Sequence, residues 1–167
     1  FWLDFKKFIF FSNSLIFHNP NTGTPVEKSL FWPLYHDDFS SQPERDVAVY
    51  LDGESALQWW HRNVARSQYS VQGWRKEKIY PDFIFAVQRG DGSARMVVLE
   101  MKGEHLAGSV DTEYKKSVLN LLSQNFTWDK TTPVGKLSLV HSGKDTVECD
   151  LVLMNEWQRR LPSFTSP

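Results

Sequence analysis

Hydrophobic and polar residues alternate along two stretches that flank a glycine-rich turn. The stretches YPDFIFAVQ (80–88) and ARMVVLEMK (94–102) are rich in apolar and aromatic side chains, and Gly90-Asp91-Gly92 lies between them. Such alternation is typical of strands, because successive side chains of a strand point to opposite faces of a sheet. The pattern predicts a β-hairpin over residues 79–102.

Helical periodicity appears on both sides of this hairpin. A helix is predicted to begin near Ser41, Gln42 or Pro43 and to stop near Gly53, because Ser is a favourable cap and Pro is tolerated in the first turn. The predicted order of elements is αβββαβ. The remaining predicted elements are a helix over 54–66, a short strand over 69–74, a helix over 112–124 capped by Ser109 or Asp111, strands over 136–142 and 146–154, and a last helix over 155–161.

The N-terminal part of the chain has a different character. Residues 1–17 are aromatic-rich without a clear period, and residues 18–43 are rich in Asn, Pro, Ser and Thr, which predicts loop. The 167 residues fit one domain with a sizeable core. The sequence begins with Phe1 and not Met, so we expect it to be a piece of a longer protein.

Composition narrows the classes of function. The formal net charge of −1 gives no global attraction to nucleic acid, so binding to DNA requires a local basic patch. The single cysteine, Cys149, excludes an internal disulfide and fits a reducing cytoplasm. No apolar run approaches the roughly 20 residues of a membrane span. The sequence therefore predicts a cytoplasmic protein.

Charged residues interrupt the hairpin where burial is costly. Asp82 heads the first strand, and Glu100 and Lys102 lie near the end of the second. A three-residue loop, Gly90 to Gly92, would set Asp82 opposite Glu100 on one face, whereas a two-residue turn would set it on the wrong face. We therefore expect an odd-length loop, or a bulge that corrects the register.

Two carboxylates at such a short distance repel each other and destabilise the fold unless a cation lies between them. Mg²⁺ suits oxygen ligands and usually binds one or two protein carboxylates. The alternative interpretation is a simple salt bridge at the end of a strand. Glu44 is a third acid of interest, because it lies on the same helix face as Val47, Ala48 and Leu51. Its alternative role is a favourable interaction with the helix dipole.

A local basic patch lies upstream of the hairpin acids, with a further lysine downstream. Its exposed side chains would grip the phosphate backbone without reading sequence. A solvated face of no special function is the alternative interpretation. The predicted DNA-binding residues are Arg62, Arg66, Arg75, Lys76, Lys78 and Lys115.

The order of elements and the pattern Pro-Asp, spacer, Glu-x-Lys together resemble the PD-(D/E)XK nuclease superfamily. Asp82, Glu100 and Lys102 match its three defining positions, and Glu44 matches a helix acid found in many members. The segments ERDVAVYLD, WWHRN, YPDFIF and EMKGEHLAGSVDTEYKK are similar to the C-terminal endonuclease domain of type III restriction enzymes and related helicase–nuclease fusions. The similarity covers roughly residues 40–125.

This resemblance implies a restriction-endonuclease-like αβββαβ core with a mixed central sheet between helices. It implies DNA endonuclease activity that depends on Mg²⁺, or Mn²⁺, in defence against foreign DNA. Asp82 and Glu100 would bind the metal, with the Met101 carbonyl as a further ligand. Lys102 would orient or help deprotonate the attacking water, and Glu44 would hold a water on the metal.

The resemblance also implies partners. Residues 1–40 would be an extension or linker from a preceding helicase-type ATPase, and residues 41–167 the endonuclease domain. A separate methyltransferase subunit would recognise the target sequence in the DNA. Two other functions stay open: a catalytically silent module that binds nucleic acid or braces a neighbouring domain, and a nuclease acting on RNA or on single-stranded DNA.

Overall fold

The computed structural model describes residues 15–125, 131–134, 137–140 and 144–167. Short 3-10 turns occur at His36–Asp38 and Glu104–Leu106. The helices and strands are α1 (Gln42–Gly53), β1 (Leu57–Arg62), β2 (Phe83–Gln88), β3 (Ala94–Lys102), α2 (Val110–Asn125), β4 (Thr131–Val134), β5 (Leu137–Val140), β6 (Thr146–Leu153) and α3 (Trp157–Thr165).

Four strands form a mixed sheet in the order β1-β2-β3-β6. The β1–β2 and β2–β3 pairs are antiparallel, and β3–β6 is parallel. Strands β4 and β5 form a separate antiparallel pair. The parallel pair needs a crossover connection, and α2 lies within it. The fold is therefore α/β, with a mixed sheet flanked by helices, as the sequence predicts at that level. Residues 1–14 of the predicted aromatic segment and residues 136, 141 and 142 of a predicted strand lie outside the described residues.

The hairpin has the register that the sequence predicts. Residue pairs run from Phe83–Leu99 to Gln88–Ala94, and the Arg89 N–H then donates to the Ser93 carbonyl at 2.9 Å. Three residues, 90–92, remain for the loop. Gly92 has φ of +83°, the left-handed conformation that favours glycine at the end of such a loop. The odd loop length keeps the acids of both strands on one face.

The two helices that flank the site begin where predicted. The Ser41 hydroxyl accepts the Glu44 N–H at 3.4 Å at the start of α1. The Ser109 hydroxyl accepts the Thr112 N–H at 3.2 Å at the start of α2. Each cap satisfies a backbone donor that has no partner within its helix.

The predicted helix over 54–66 is wrong, since this segment holds strand β1. Its backbone pairs with β2 on one side. On the other side the Trp60 N–H donates to the Lys28 carbonyl at 2.9 Å, and the Leu30 N–H donates to the Trp60 carbonyl at 2.7 Å. Strand partners distant in sequence thus override good local helix propensity. The strand predicted over 69–74 is also wrong: only a bridge between Val71 and Ile79 forms there.

The core fills both faces of the sheet. On one face α1 and α3 pack against residues such as Phe85 and Leu99. On the other, Leu119 of α2 packs against Val98 and Leu151. None of the helices in the described ranges is long and apolar enough to cross a membrane.

The segment before α1 packs as part of this core. The side chains that it contributes to the α1 cluster are those of Phe17, Val26, Leu34 and Phe39. The Asp52 carboxylate at the end of α1 also accepts the Lys28 N–H at 2.8 Å and the Trp60 indole N–H at 3.0 Å. Residues on both sides of the predicted division at residues 40 and 41 therefore share one hydrophobic cluster.

Candidate active site

Asp82 lies at the edge of the sheet, one residue before the first paired residue of β2. Its N–H donates to the Leu99 carbonyl at 2.9 Å, and its Oδ2 accepts the Met101 N–H at 2.7 Å. The Asp82 carboxylate thus accepts a backbone hydrogen bond from β3 just before β2 begins. Continuing the register one step beyond Phe83–Leu99 sets Asp82 against Glu100.

A buried asparagine fixes the backbone around Asp82. Asn63 is 1% exposed, and its N–H donates to the Asp82 carbonyl at 2.8 Å. Its side-chain amide donates to the Pro81 carbonyl at 2.8 Å and to the Tyr69 carbonyl at 2.9 Å. Sequence reasoning missed this residue, because no pattern distinguishes a buried loop asparagine from a solvated one.

Glu100 is the most deeply buried acid on the sheet, at 3% exposure. Its Oε1 accepts Lys115 Nζ at 2.8 Å and lies 3.5 Å from Lys102 Nζ. Its Oε2 is buried and has no hydrogen-bond partner among the described residues. A buried carboxylate oxygen without a partner is costly, so the site favours a further donor or cation at this oxygen.

Both lysines of the site also lie near a second acid. Asp111 Oδ2 is 3.7 Å from Lys102 Nζ and 3.7 Å from Lys115 Nζ. The spacing of Asp111 and Lys115, four residues apart on α2, is a sequence feature that could have indicated this pair. Lys115, predicted as a DNA-binding residue, therefore lies within the site. Asp111 is not the cap of α2, since Ser109 fills that position.

Glu44 reaches the site through Arg62. Glu44 is 4% exposed, and its Oε2 accepts Arg62 Nη2 at 2.8 Å and the Ser40 N–H at 2.8 Å. Arg62 Nη1 donates to the Asp82 carbonyl at 3.2 Å and lies 3.7 Å from Asp82 Oδ1. A guanidinium group thus stands between the helix acid and the strand acid.

The structure changes the role expected of Arg62. The sequence places it among the surface residues that grip DNA, but its side chain is only 8% exposed and is paired with Glu44. In this arrangement its guanidinium group bonds to the Glu44 carboxylate and to the Asp82 carbonyl. The other predicted DNA-binding residues, Arg66, Arg75, Lys76 and Lys78, are exposed on the loop between β1 and β2.

The surroundings of Asp82 raise its pKa from 3.8 to about 7. Burial is the largest cause, and the negative charge of Glu100 is the second. The Met101 N–H and the Arg62 guanidinium lower this pKa by smaller amounts, and the charge of Glu44 raises it. Both carboxylates therefore lie within electrostatic reach of each other, and a proton or a cation at Asp82 relieves the repulsion.

This pKa predicts how stability depends on pH. Between about pH 4 and pH 7 folded Asp82 keeps a proton that the unfolded chain has lost, so the free energy of unfolding should fall as pH rises through this window. Above pH 7 this contribution becomes constant. Urea denaturation at several pH values in this window should show a smaller fall in the free energy of unfolding for Asp82→Asn than for the parent protein. Identical pH dependence in both proteins would contradict the assignment.

The residues fit a small divalent cation. Within the described ranges no three His, Cys, Asp or Glu side chains form a ready-made ion site. Mg²⁺, however, commonly binds one or two carboxylates and completes its shell with water. Asp82 and the unpartnered Oε2 of Glu100 supply such a pair. The orphaned oxygen is the observation that favours a cation here.

Comparisons with protein-family models, with curated proteins and with solved structures find no significant match to this chain.

Proposed function

We propose that this chain is a metal-dependent endonuclease domain of the PD-(D/E)XK type, which hydrolyses phosphodiester bonds in DNA. The observation that carries the proposal is the placement of Asp82 and Glu100 at one edge of adjacent antiparallel strands, with two lysines on Glu100. The order of α1, β1–β3, α2 and β6 supports it, since the same order defines a restriction-endonuclease-like core once the separate β4–β5 pair between α2 and β6 is set aside.

Asp82 and Glu100 would hold Mg²⁺ or Mn²⁺, with the Met101 carbonyl as a further ligand. When bound, such an ion neutralises phosphate charge and lowers the pKa of a coordinated water. The Met101 N–H and Arg62 fix the orientation of Asp82. Glu44, held by Arg62, adds negative charge on the α1 side of this centre.

The two lysines supply the positive charge that the reaction needs. Their Nζ groups have free hydrogen-bonding capacity beyond Glu100 Oε1, because an ammonium group carries three donors. Lys102 is assigned to orient the attacking water, and Lys115 to stabilise charge on a phosphate oxygen. Both side chains are mostly buried, so their interactions with phosphate are stronger than in open water.

The proposed biological setting rests on the sequence resemblance to the endonuclease domain of type III restriction enzymes. A cytoplasmic type III restriction-like helicase–nuclease would place this domain after an ATPase motor, and a methyltransferase subunit would recognise the target sequence. Defence against foreign DNA is the corresponding role.

A cleavage assay tests the activity. The folded protein is incubated with supercoiled plasmid, linear duplex, single-stranded DNA and RNA, in Mg²⁺, in Mn²⁺ and in EDTA. We expect cleavage of DNA that requires the divalent ion. Preferential cutting of RNA would replace the proposed substrate, and no cutting by a folded sample under any condition would contradict the endonuclease proposal.

The second candidate is a catalytically silent nucleic-acid-binding or bracing module. The observation that favours it is charge balance: Arg62 already neutralises Glu44, and Lys115 already neutralises Glu100. Thermal unfolding separates the two candidates without an activity measurement. If the site binds Mg²⁺, adding Mg²⁺ should raise the melting temperature of the parent protein but not that of Asp82→Asn. No shift in either protein would favour the silent module.

A further inference from the structure

An aromatic residue protrudes from the loop that leads into the site. Trp74 is 65% exposed, and Arg75, Lys76 and Lys78 after it are also exposed, with the exposed acid Glu77 between the two lysines. We call Trp74 and these three cations the loop patch. A large exposed apolar side chain among cations is costly to leave in water and is typical of a surface that meets a ligand.

The loop patch is held firmly against α2. The Val71 and Ile79 backbones bond to each other at 2.8 and 2.9 Å, and both side chains are buried with Tyr114 and Val118. Gly73 allows this contact, because a Cβ there would lie 2.3 Å from the Tyr114 hydroxyl oxygen. The loop therefore presents its side chains from a fixed support.

Tyr114 orients the two leading residues of the patch. The Trp74 and Tyr114 rings meet edge to face, with centroids 5.1 Å apart and planes at 87°. The Arg75 guanidinium carbon lies 4.3 Å from the centroid of the Tyr114 ring. The backbone N–H of Arg75 donates to the Tyr114 hydroxyl at 3.2 Å. The indole is still 65% exposed despite this contact, so most of its surface stays open to a ligand.

The patch and the site are connected through α2, which contacts both. Tyr114 precedes Lys115 on α2, and Lys115 Nζ bonds to Glu100 at 2.8 Å. A strand of nucleic acid whose phosphate contacts Lys102 or Lys115 could extend along α2 towards the loop patch. Cations on a backbone path with an aromatic ring next to it match how proteins bind single strands.

We infer that Trp74 is a stacking platform for an unpaired base, and that the loop patch binds a single-stranded or frayed segment of nucleic acid next to the scissile phosphate. This inference rests on the proposed function and names its substrate class. A base within a duplex stacks on its neighbours, so only an unpaired base offers a face to the indole. Arg75, Lys76 and Lys78 would contact the flanking phosphates.

Binding without cleavage tests the platform. Fluorescence anisotropy is measured in EDTA with the Asp82→Asn protein and with short labelled single-stranded DNA, single-stranded RNA and duplex DNA. Adding Trp74→Ala should weaken binding to the single strands by roughly tenfold and binding to duplex by less than about twofold. Trp74→Phe, which keeps an aromatic face, should retain most of the affinity.

Trp32 provides the matched control. It is 64% exposed, but acidic Asp37 and Asp38 follow it and no basic residue lies within three positions on either side. Trp32→Ala should leave single-strand affinity unchanged. Equal weakening of single-strand and duplex binding by Trp74→Ala, unchanged binding, or no binding by the parent would overturn the inference. The binding assay contains no free metal ion and therefore does not depend on cleavage. Absence of cleavage in the separate nuclease assay would contradict the endonuclease proposal and would leave the binding result unchanged.

Discussion

Replacing Asp82 by Asn is expected to reduce cleavage by roughly 10²–10³-fold or more, without loss of folding. The carboxylate is one of only two acids assigned to the ion, and an amide cannot replace its charge. The fold should tolerate the change, because the Asn carbonyl oxygen can still accept the Met101 N–H. The substitution also removes the repulsion between Asp82 and Glu100 that raises the pKa of Asp82.

Rates of plasmid cleavage and urea denaturation at neutral pH measure the two expectations together. Asp91→Asn is the matched control, since Asp91 lies in the turn at the opposite end of the same hairpin and is exposed. It should cleave at the parental rate. An Asp82→Asn protein that cuts like the parent would exclude Asp82 from the reaction. One that is inactive because it is unfolded would contradict the stability argument.

Arg62→Ala is expected to give the largest loss of stability among single substitutions at the site, about 3–5 kcal/mol in the free energy of unfolding. Glu44 and Arg62 are 5% and 8% exposed at their side chains, and their charged atoms lie 2.8 Å apart. Removing the guanidinium leaves the buried Glu44 carboxylate without its cationic partner, with only the Ser40 N–H as a donor among the described residues. It also removes one of the two donors to the Asp82 carbonyl.

Arg159→Ala is the matched control for this prediction. Arg159 lies 2.9 Å from Glu156, but the two side chains are 72% and 36% exposed. Solvent screens such a pair, so the substitution should change the free energy of unfolding by less than about 1 kcal/mol. The double variant Glu44→Gln/Arg62→Met should recover part of the loss, because it removes both buried charges. Equal effects of Arg62→Ala and Arg159→Ala would show that burial does not strengthen the pair.

The hairpin and its register follow from local sequence. The alternation in residues 80–88 and 94–102 fixes which side chains share a face, and the Gly90–Gly92 loop fixes the pairing. The helix starts follow from Ser41 and Ser109, which act through hydrogen bonds within a few residues. Features that depend on neighbours in sequence were therefore predictable.

Features that depend on distant contacts were not. Strand β1 forms because its backbone pairs with β2 and with Lys28 and Leu30, which are contacts that the local sequence does not reveal. Arg62 resembles a surface cation in sequence and is buried only because Glu44 of α1 faces it. Lys115 points at Glu100 because α2 crosses the sheet at that position.

The segment before α1 has a practical meaning for anyone who shortens the chain. Its composition suggests a tether that a cut at residue 41 would remove without harm. Such a cut would strip one wall from the hydrophobic interior, including Phe17 and Phe39, and would leave Asp52 without its backbone donor at Lys28. A shortened version that keeps this packing therefore has to start upstream of Phe17.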